Sequence, residues 1–181
     1  VRTADEVIRR EFELAEGDPF NASRLKKSET NIRNLGFFSK VDIKPIQGSA
    51  PDQTVVQAAV TEQSTGEVQL GVGYSTSDGP LGDVTIRERN LLGRGQDLRL
   101  STSLSGVSSQ IDLSFTEPYF LGRNLAAGFD LFRTTRDNQS FSSYDETNTG
   151  FALRMGYPLS ENLRQTLRYR LNYRQVSDVS D

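Results

Sequence analysis

The sequence predicts a small α+β domain followed by a long antiparallel sheet. Two helical patterns occupy roughly the first 36 residues of this 181-residue chain, and no helical pattern follows them. From Gly66 onward, seven segments alternate apolar and polar residues, with the period of two that marks strands with one apolar face. A chain of this length can hold one or two domains. We therefore expect one domain over 1–64 and a second over 65–181.

The first helix is expected to begin near Ala4 and to end between Ala15 and Gly17. Thr3 and Glu6 have the spacing of a capping box, in which each side chain bonds the backbone N–H of the other residue. Apolar residues then recur at helical spacing. They are Val7, Ile8 and Phe12.

The second helix should begin after Asn21, a good N-cap residue, and end at Gly36, which suits a left-handed C-terminal position. The period then changes to that of strands, at Val41–Ile43 and at Thr54–Thr61. The order is α-α-β-β. Because a two-stranded hairpin offers two helices little surface, we expect a further strand upstream of Val1.

The segment Gly66–Tyr74 is expected to form the first strand of the sheet and to pair weakly. Glycines in a strand leave little side chain for cross-strand packing. Val68, Leu70, Val72 and Tyr74 fall on one face, whereas Glu67, Gln69, Gly71 and Gly73 fall on the other.

The sheet is compatible with a soluble β-sandwich or with part of a transmembrane β-barrel, because both have one apolar and one polar face. Segments of about ten residues favour the barrel. Short connections are expected to alternate with long ones, including a loop over 136–148. Aromatic residues near strand ends suit the girdle of a barrel. They are Tyr74, Tyr119, Phe120 and Tyr157.

Composition excludes several kinds of chemistry. The chain has no cysteine and no histidine, which removes disulfides, Ser-His-Asp catalysis and ordinary zinc sites. A net charge of −3 and a pI near 5.1 give no general reason to expect nucleic acid. We expect no cofactor and no metal site.

Charged residues on the polar strand faces have two readings each. Asp97, Asp112 and Asp130 have the residue type of a glycosidase pair, but solvated residues of a barrel lumen are the favoured interpretation. The row Arg164, Arg168, Arg170 and Arg174 suits an anion such as a lipopolysaccharide phosphate. The favoured interpretation is again pairing with acidic neighbours across strands.

Several separated strings, in order along the whole chain, resemble the BamA outer-membrane insertase family. The first set resembles its last polypeptide-transport-associated (POTRA) domain, and the second resembles the first strands of its barrel. The first set is 5–11, 16–17, 35–38 and 51–53, and the second is 66–74, 90–93, 117–120 and 156–158.

The resemblance implies a periplasmic POTRA domain joined to about seven of the roughly sixteen strands of a Gram-negative outer-membrane barrel. It also implies a segment of a longer protein whose other POTRA domains and later strands are elsewhere. The implied role is folding and insertion of other β-barrel proteins, with no catalysed reaction. The implied partners are nascent barrel proteins, accessory lipoproteins, and outer-membrane lipid and lipopolysaccharide.

The resemblance implies three sites. Residues Glu67–Tyr74 would form a lateral gate that templates a client strand by β-augmentation. The POTRA edge strand at Val41, Asp42 and Ile43 would hold extended clients. Glu16, with Arg9 and Arg10, would dock accessory lipoproteins. Two alternatives stay open: a related translocation pore, of the two-partner secretion or TamA-like kind, and a soluble β-sandwich binding module.

Overall fold

The computed structural model describes residues 2–51, 53–139, 144–160 and 162–177. Its contacts divide the chain into two units. The first unit is Val1–Thr65 together with Leu92–Gly95, and the second is Gly66–Leu91 together with Gln96–Asp181. The main division therefore falls between Thr65 and Gly66.

The first unit has the predicted α-α-β-β order. Its elements are α1 (Asp5–Arg9), α2 (Ala22–Asn34), β1 (Phe38–Gln47) and β2 (Thr54–Glu62). The two strands form an antiparallel hairpin, with a register irregularity between Phe38 and Lys40. As predicted, the Asn21 side chain caps α2 by accepting from the N–H groups of Ser23 and Arg24.

The core of the first unit lies between the helices and one face of the hairpin. Buried side chains come from α1, α2 and the start of β1, and Gly36 turns the chain between α2 and β1 with the predicted left-handed φ of 69°. This geometry brings two adjacent phenylalanines into the core. The buried cluster is Val7, Ile32, Phe37, Phe38 and Val41.

Helix α1 is shorter than predicted and lacks the predicted capping box. Its N-cap is Ala4, with no side-chain cap, because the Thr3 N–H donates to the Glu62 carboxylate. That hydrogen bond lowers the pKa of Glu62 below its ordinary value of 4.5. The helix ends at Arg9 rather than near Ala15, and four residues later the Glu13 N–H donates to Ser28 Oγ at 2.8 Å. A tertiary hydrogen bond thus takes a donor that a longer helix would use.

The second unit is one antiparallel sheet of seven strands in sequence order. Each neighbouring pair is antiparallel, and all the strands described in this unit belong to that one sheet. The soluble β-sandwich alternative is therefore wrong. The strands are β3 (Gly66–Ser75), β4 (Gly79–Leu91), β5 (Gln96–Ser105), β6 (Ser108–Glu117), β7 (Ala126–Asp137), β8 (Asp145–Ser160) and β9 (Leu163–Ser177).

The predicted loop over 136–148 is wrong at both ends. Strand β7 continues to Asp137 and β8 begins at Asp145, so that Thr134 pairs with Asn148. Strands pair through their backbones, and this pairing does not require apolar side chains. The polar ends of β7 and β8 therefore resemble a loop in the sequence although they are paired. The predicted alternation of short and long connections is also wrong, because the two longest connections, 118–125 and 138–144, follow one another.

The register places the two sets of side chains on opposite faces across all seven strands. On one face, Leu70 lies opposite Val84 and Leu100 lies opposite Leu113. On the other face, Ser114 lies opposite Asp130. Apolar side chains remain exposed across the first face, from Leu70 at 76% to Leu167 at 52%. This face is thus apolar and has no protein layer over it among the described residues.

Candidate functional site

Strand β3 forms one edge of the sheet. It pairs with β4 without a register shift, from Gly66 opposite Glu88 to Ser75 opposite Gly79. Its other edge has no partner strand among the described residues. Its apolar side chains are accordingly more exposed than those one strand inward, with Val72 at 95% against 42% for Val84.

The two interior glycines of β3, Gly71 and Gly73, differ in their surroundings. Neither has a positive φ, so the backbone itself does not require glycine at either position. A Cβ at Gly71 would overlap the Asp83 carboxylate, with 2.7 Å to Asp83 Cγ. A Cβ at Gly73 would meet only Leu81, at 3.9 Å. The space at Gly71 is therefore used by Asp83, whereas the space at Gly73 is open.

The remaining polar residues of β3 interact along the strand. The Gln69 amide Nε2 donates to Glu67 Oε1 at 2.5 Å. Both side chains are exposed on the polar face of the sheet. Strand β3 therefore presents polar side chains on one face of the sheet and apolar side chains on the other, namely Val68, Leu70 and Tyr74.

The predicted girdle residues lie at both ends of the sheet. Tyr74 lies at one end, beside the β3–β4 turn. At the other end, Tyr119 and Phe120 follow β6, and Tyr157 lies near the C-terminal end of β8. Phe120 belongs to a single 3-10 turn, Phe120–Gly122. The Tyr157 hydroxyl donates to Gln165 Oε1 at 2.9 Å. The tyrosines thus bracket the apolar face along the strand direction.

The predicted strand segment of the first unit lies in β1. Val41 is in the core, while Asp42 and Ile43 are half-buried. Asp42 accepts from Lys44 Nζ at 2.7 Å. Because β1 pairs only with β2 among the described residues, its second edge has no strand partner there.

The predicted docking residues are not equivalent. Arg9 and Glu16 form an ion pair, with 3.1 Å between Nη1 and Oε1, and their side chains are 75% and 93% exposed. Arg10 is largely buried and lies 3.9 Å from Glu11. The structure therefore brings Glu16 to Arg9 and places Arg10 elsewhere.

Asp130 lies at the centre of an ion-pair network on the polar face. It lies 3.0 Å from Arg154 and 3.0 Å from Arg168, and it accepts from the Ser114 hydroxyl. Arg154 also donates to Thr116 Oγ1 at 3.1 Å. Arg154 is not among the site residues predicted from the sequence. Its alternation with Leu153 and Met155, which places it on the polar face of β8, is the signal that could have identified it.

The other carboxylates and arginines considered as site residues largely have partners. Asp97 pairs with Arg87, Asp112 accepts from Gln110, and Glu146 pairs with Arg174 at 2.7 Å. The favoured interpretation of the arginine row, pairing with acidic neighbours across strands, is thus confirmed for Arg168 and Arg174. The turn between β4 and β5 has φ of 76° at Gly93 and 69° at Gly95.

Among the described residues, no helix has the length and apolar character needed to cross a membrane. That same part of the chain holds no group of histidine, cysteine or acidic residues placed to bind a metal ion.

The fold and the two-faced sheet define a class of protein, in which a POTRA-like α+β unit is followed by outer-membrane barrel strands. Two family models match accordingly. One is the Omp85 superfamily domain over residues 90–181, and the other is the POTRA model, described as surface antigen variable number repeat, over residues 1–63. The chain belongs to the Omp85 superfamily. It is therefore part of a cell outer-membrane protein with a periplasmic POTRA domain.

Within this superfamily the chain resembles BamA proteins, as expected from the sequence. It is 32% identical to the outer membrane protein assembly factor BamA of Neisseria meningitidis, over 88% of this chain and 21% of that relative. The crystal structure of BamA from Haemophilus ducreyi lacking POTRA domains 1–3 superposes with a TM-score of 0.85, at 27% identity, covering 98% of this chain and 34% of that one. The chain thus spans about a fifth to a third of these proteins.

A more distant structure shares the fold alone. CdiB from Acinetobacter baumannii matches with a TM-score of 0.65 at 15% identity, over 99% of this chain and 37% of that one. The architecture is therefore common to proteins of widely different sequence.

Proposed function

We propose that this chain is part of an assembly factor that folds and inserts β-barrel proteins into the Gram-negative outer membrane. It carries out this role without bond-making chemistry. In this proposal β3 is the lateral-gate strand. The observation that carries the proposal is the place of β3, which is the first strand of the sheet, follows the POTRA-like unit directly in the chain and has Gly71 and Gly73 in its interior, where they leave little cross-strand packing.

An unpaired strand edge offers a row of backbone N–H and C=O groups. A client strand that adds to this edge gains main-chain hydrogen bonds that do not depend on its sequence. Such tolerance suits a factor that serves many clients. Because β3 already has regular backbone geometry through its pairing with β4, it presents that row preformed.

The side chains of β3 also support this role. Val68, Leu70 and Val72 lie on the apolar face of the sheet and are 66%, 76% and 95% exposed. A client strand of matching alternation would cover these apolar residues on the membrane face. Because lipid already surrounds this face, addition of the strand would mainly satisfy the backbone donors and acceptors and pair side chains across the two strands.

Single cysteines provide the test, because the chain has none of its own. Cysteine at Val68, Gln69 or Leu70 in the full-length protein should crosslink to an arrested client barrel. Cysteine at Val84 is the matched control, since it lies directly opposite Leu70 on the same face but one strand inward. If the β3 positions crosslink only to the protein's own last strand at every client load, β3 is not a template.

The ion pair of Arg9 and Glu16 is the proposed contact for accessory lipoproteins. Both side chains are exposed enough to exchange their mutual pairing for a partner of either charge. The Glu16→Arg variant should lose the lipoproteins from a pull-down of the full-length protein, whereas Glu29→Arg, which likewise breaks an ion pair, with Arg33 of α2, should retain them. Equal retention by both variants would argue against this surface.

The edge of β1 is the proposed holding site for extended clients in the periplasm, through main-chain pairing beside Asp42. The apolar face of the sheet is the proposed surface for outer-membrane lipid and lipopolysaccharide. A proline at Gln47 would remove one backbone donor from the free edge of β1, because the next residue, Gly48, donates its N–H to Gln53 of the hairpin and successive N–H groups of a strand point to opposite sides. Reduced crosslinking of clients to β1 in that variant, with unchanged POTRA folding, is the expected result, and unchanged crosslinking would argue against this edge.

A further inference from the structure

The polar face of the sheet contains a basin of about 520 Å³. Side chains from β5 to β9 line it, and its charges are unequal. Four guanidinium groups, from Arg99, Arg154, Arg168 and Arg170, face only two carboxylates, from Asp112 and Asp130. The basin therefore has a formal excess of two positive charges.

Two of the four guanidinium groups already have an ion-pair partner, which they share. Arg154 and Arg168 both pair with Asp130. Arg99 donates to the Ser101 hydroxyl at 3.1 Å, and Arg170 lies 4.2 Å from the centre of the Phe132 ring. Among the described residues, neither of these last two forms an ion pair.

The sheet holds Arg170 in place by packing rather than by charge. A Cβ at Gly150 would lie 2.6 Å from Phe132 Cζ, so the absence of a side chain there makes room for the ring. The ring in turn supports the Arg170 guanidinium by a cation–π contact. A guanidinium held over a ring keeps the edges of its plane available for a carboxylate.

The strand register places Arg99 and Arg170 in one row with Asp130, the carboxylate of the ion-pair network. Arg99 lies opposite Ser114, Ser114 opposite Asp130, Asp130 opposite Ala152, and Ala152 opposite Arg170. Asp130 is thus the acidic residue at the middle of a row with an arginine at each end. Arg154 and Arg168 already hold the Asp130 carboxylate on this face. Arg99 and Arg170, at the two ends of the row, could hold further carboxylates in the same way.

We propose that this basin binds the carboxylate side chains of an acidic polypeptide segment, with Arg170 and Arg99 as the binding residues. The segment is a polypeptide rather than a lipid, because lipid is expected at the opposite, apolar face of the sheet. The inference does not depend on the templating role of β3. It needs only the membrane orientation that superfamily membership gives the sheet.

Binding of a fluorescent hexaglutamate peptide to the full-length protein in detergent micelles, followed by anisotropy at low salt, tests the proposal. Arg170→Gln should weaken binding about 2- to 5-fold, the upper part of the usual range for an exposed ion pair. Phe132→Leu should weaken it less, since the charge stays but its support is lost. Arg174→Gln is the matched control, being on the same strand and face but paired with Glu146. It should bind like the parent protein.

Three results would overturn the proposal. The first is no saturable binding of hexaglutamate by a protein with the parent's heat-modifiable migration. The second is equal weakening by Arg170→Gln and Arg174→Gln, which would show a general electrostatic attraction. The third is displacement of the peptide by inorganic phosphate at equal charge concentration, which would assign the basin to phosphate groups instead.

Discussion

The two interior glycines of β3, Gly71 and Gly73, allow the role of strand weakness to be tested by a pair of matched substitutions. Glycine in a strand interior costs about 0.5–1 kcal/mol relative to alanine, because its backbone loses more freedom on folding. Both positions have ordinary strand backbone, so alanine fits either one without strain in φ. The two sites then differ only in what the new methyl group contacts.

At Gly73 the new Cβ would lie 3.9 Å from Leu81, an ordinary packing distance. Gly73→Ala should therefore stabilise β3 by about the full 0.5–1 kcal/mol, which corresponds to a roughly 2- to 5-fold smaller opening constant. At Gly71 the methyl group would displace the Asp83 carboxylate. The gain there should be offset, and Gly71→Ala should be close to neutral or destabilising.

Two assays on the full-length protein check this reasoning. Hydrogen exchange of the β3 amides should slow about 2- to 5-fold in Gly73→Ala and should not slow in Gly71→Ala. If a weak strand is needed for client addition, assembly of a client barrel into proteoliposomes should slow in Gly73→Ala. Slower exchange with an unchanged assembly rate would refute the link between weakness and function. Equal exchange in both variants would refute the structural difference between the two glycines.

Three further predictions concern the POTRA unit. Because the hydrogen bond from the Thr3 N–H lowers the pKa of Glu62, the Glu62 carboxylate should stabilise the folded unit above pH 4.5, the ordinary pKa of the group. This contribution should disappear as the pH falls through the lower pKa of the folded state. A difference in unfolding free energy between the parent and Glu62→Gln that persists at low pH would contradict this. Ser28→Ala should destabilise the unit by about 1–3 kcal/mol by leaving the Glu13 N–H without its acceptor, measured by denaturant unfolding against Ser23→Ala as an exposed control. Gly36→Ala should cost about 1 kcal/mol because φ is 69° there, and an unchanged midpoint would show that the turn can adjust.

The sequence was sufficient for the parts of the fold that depend on local pattern. Strict alternation identified all seven strands of the sheet, because side chains of a strand alternate between its faces regardless of what lies beyond. The cap at Asn21 and the left-handed turn at Gly36 were equally predictable, since each depends on one residue's own chemistry. The faces of β3 followed from parity alone.

Contacts between distant residues decided the rest. Helix α1 ends early and lacks its capping box because Ser28 and Glu62 take backbone donors from residues 15 and 59 positions away in sequence. Sequence reading treated Gly71 and Gly73 alike, yet only the register with β4 shows that Asp83 occupies the space over one of them. In the same way, the basin of the polar face exists because four successive strand registers align Arg99 with Arg170. Periodicity determines which face a residue takes, whereas only the register of the folded sheet determines which residues meet there.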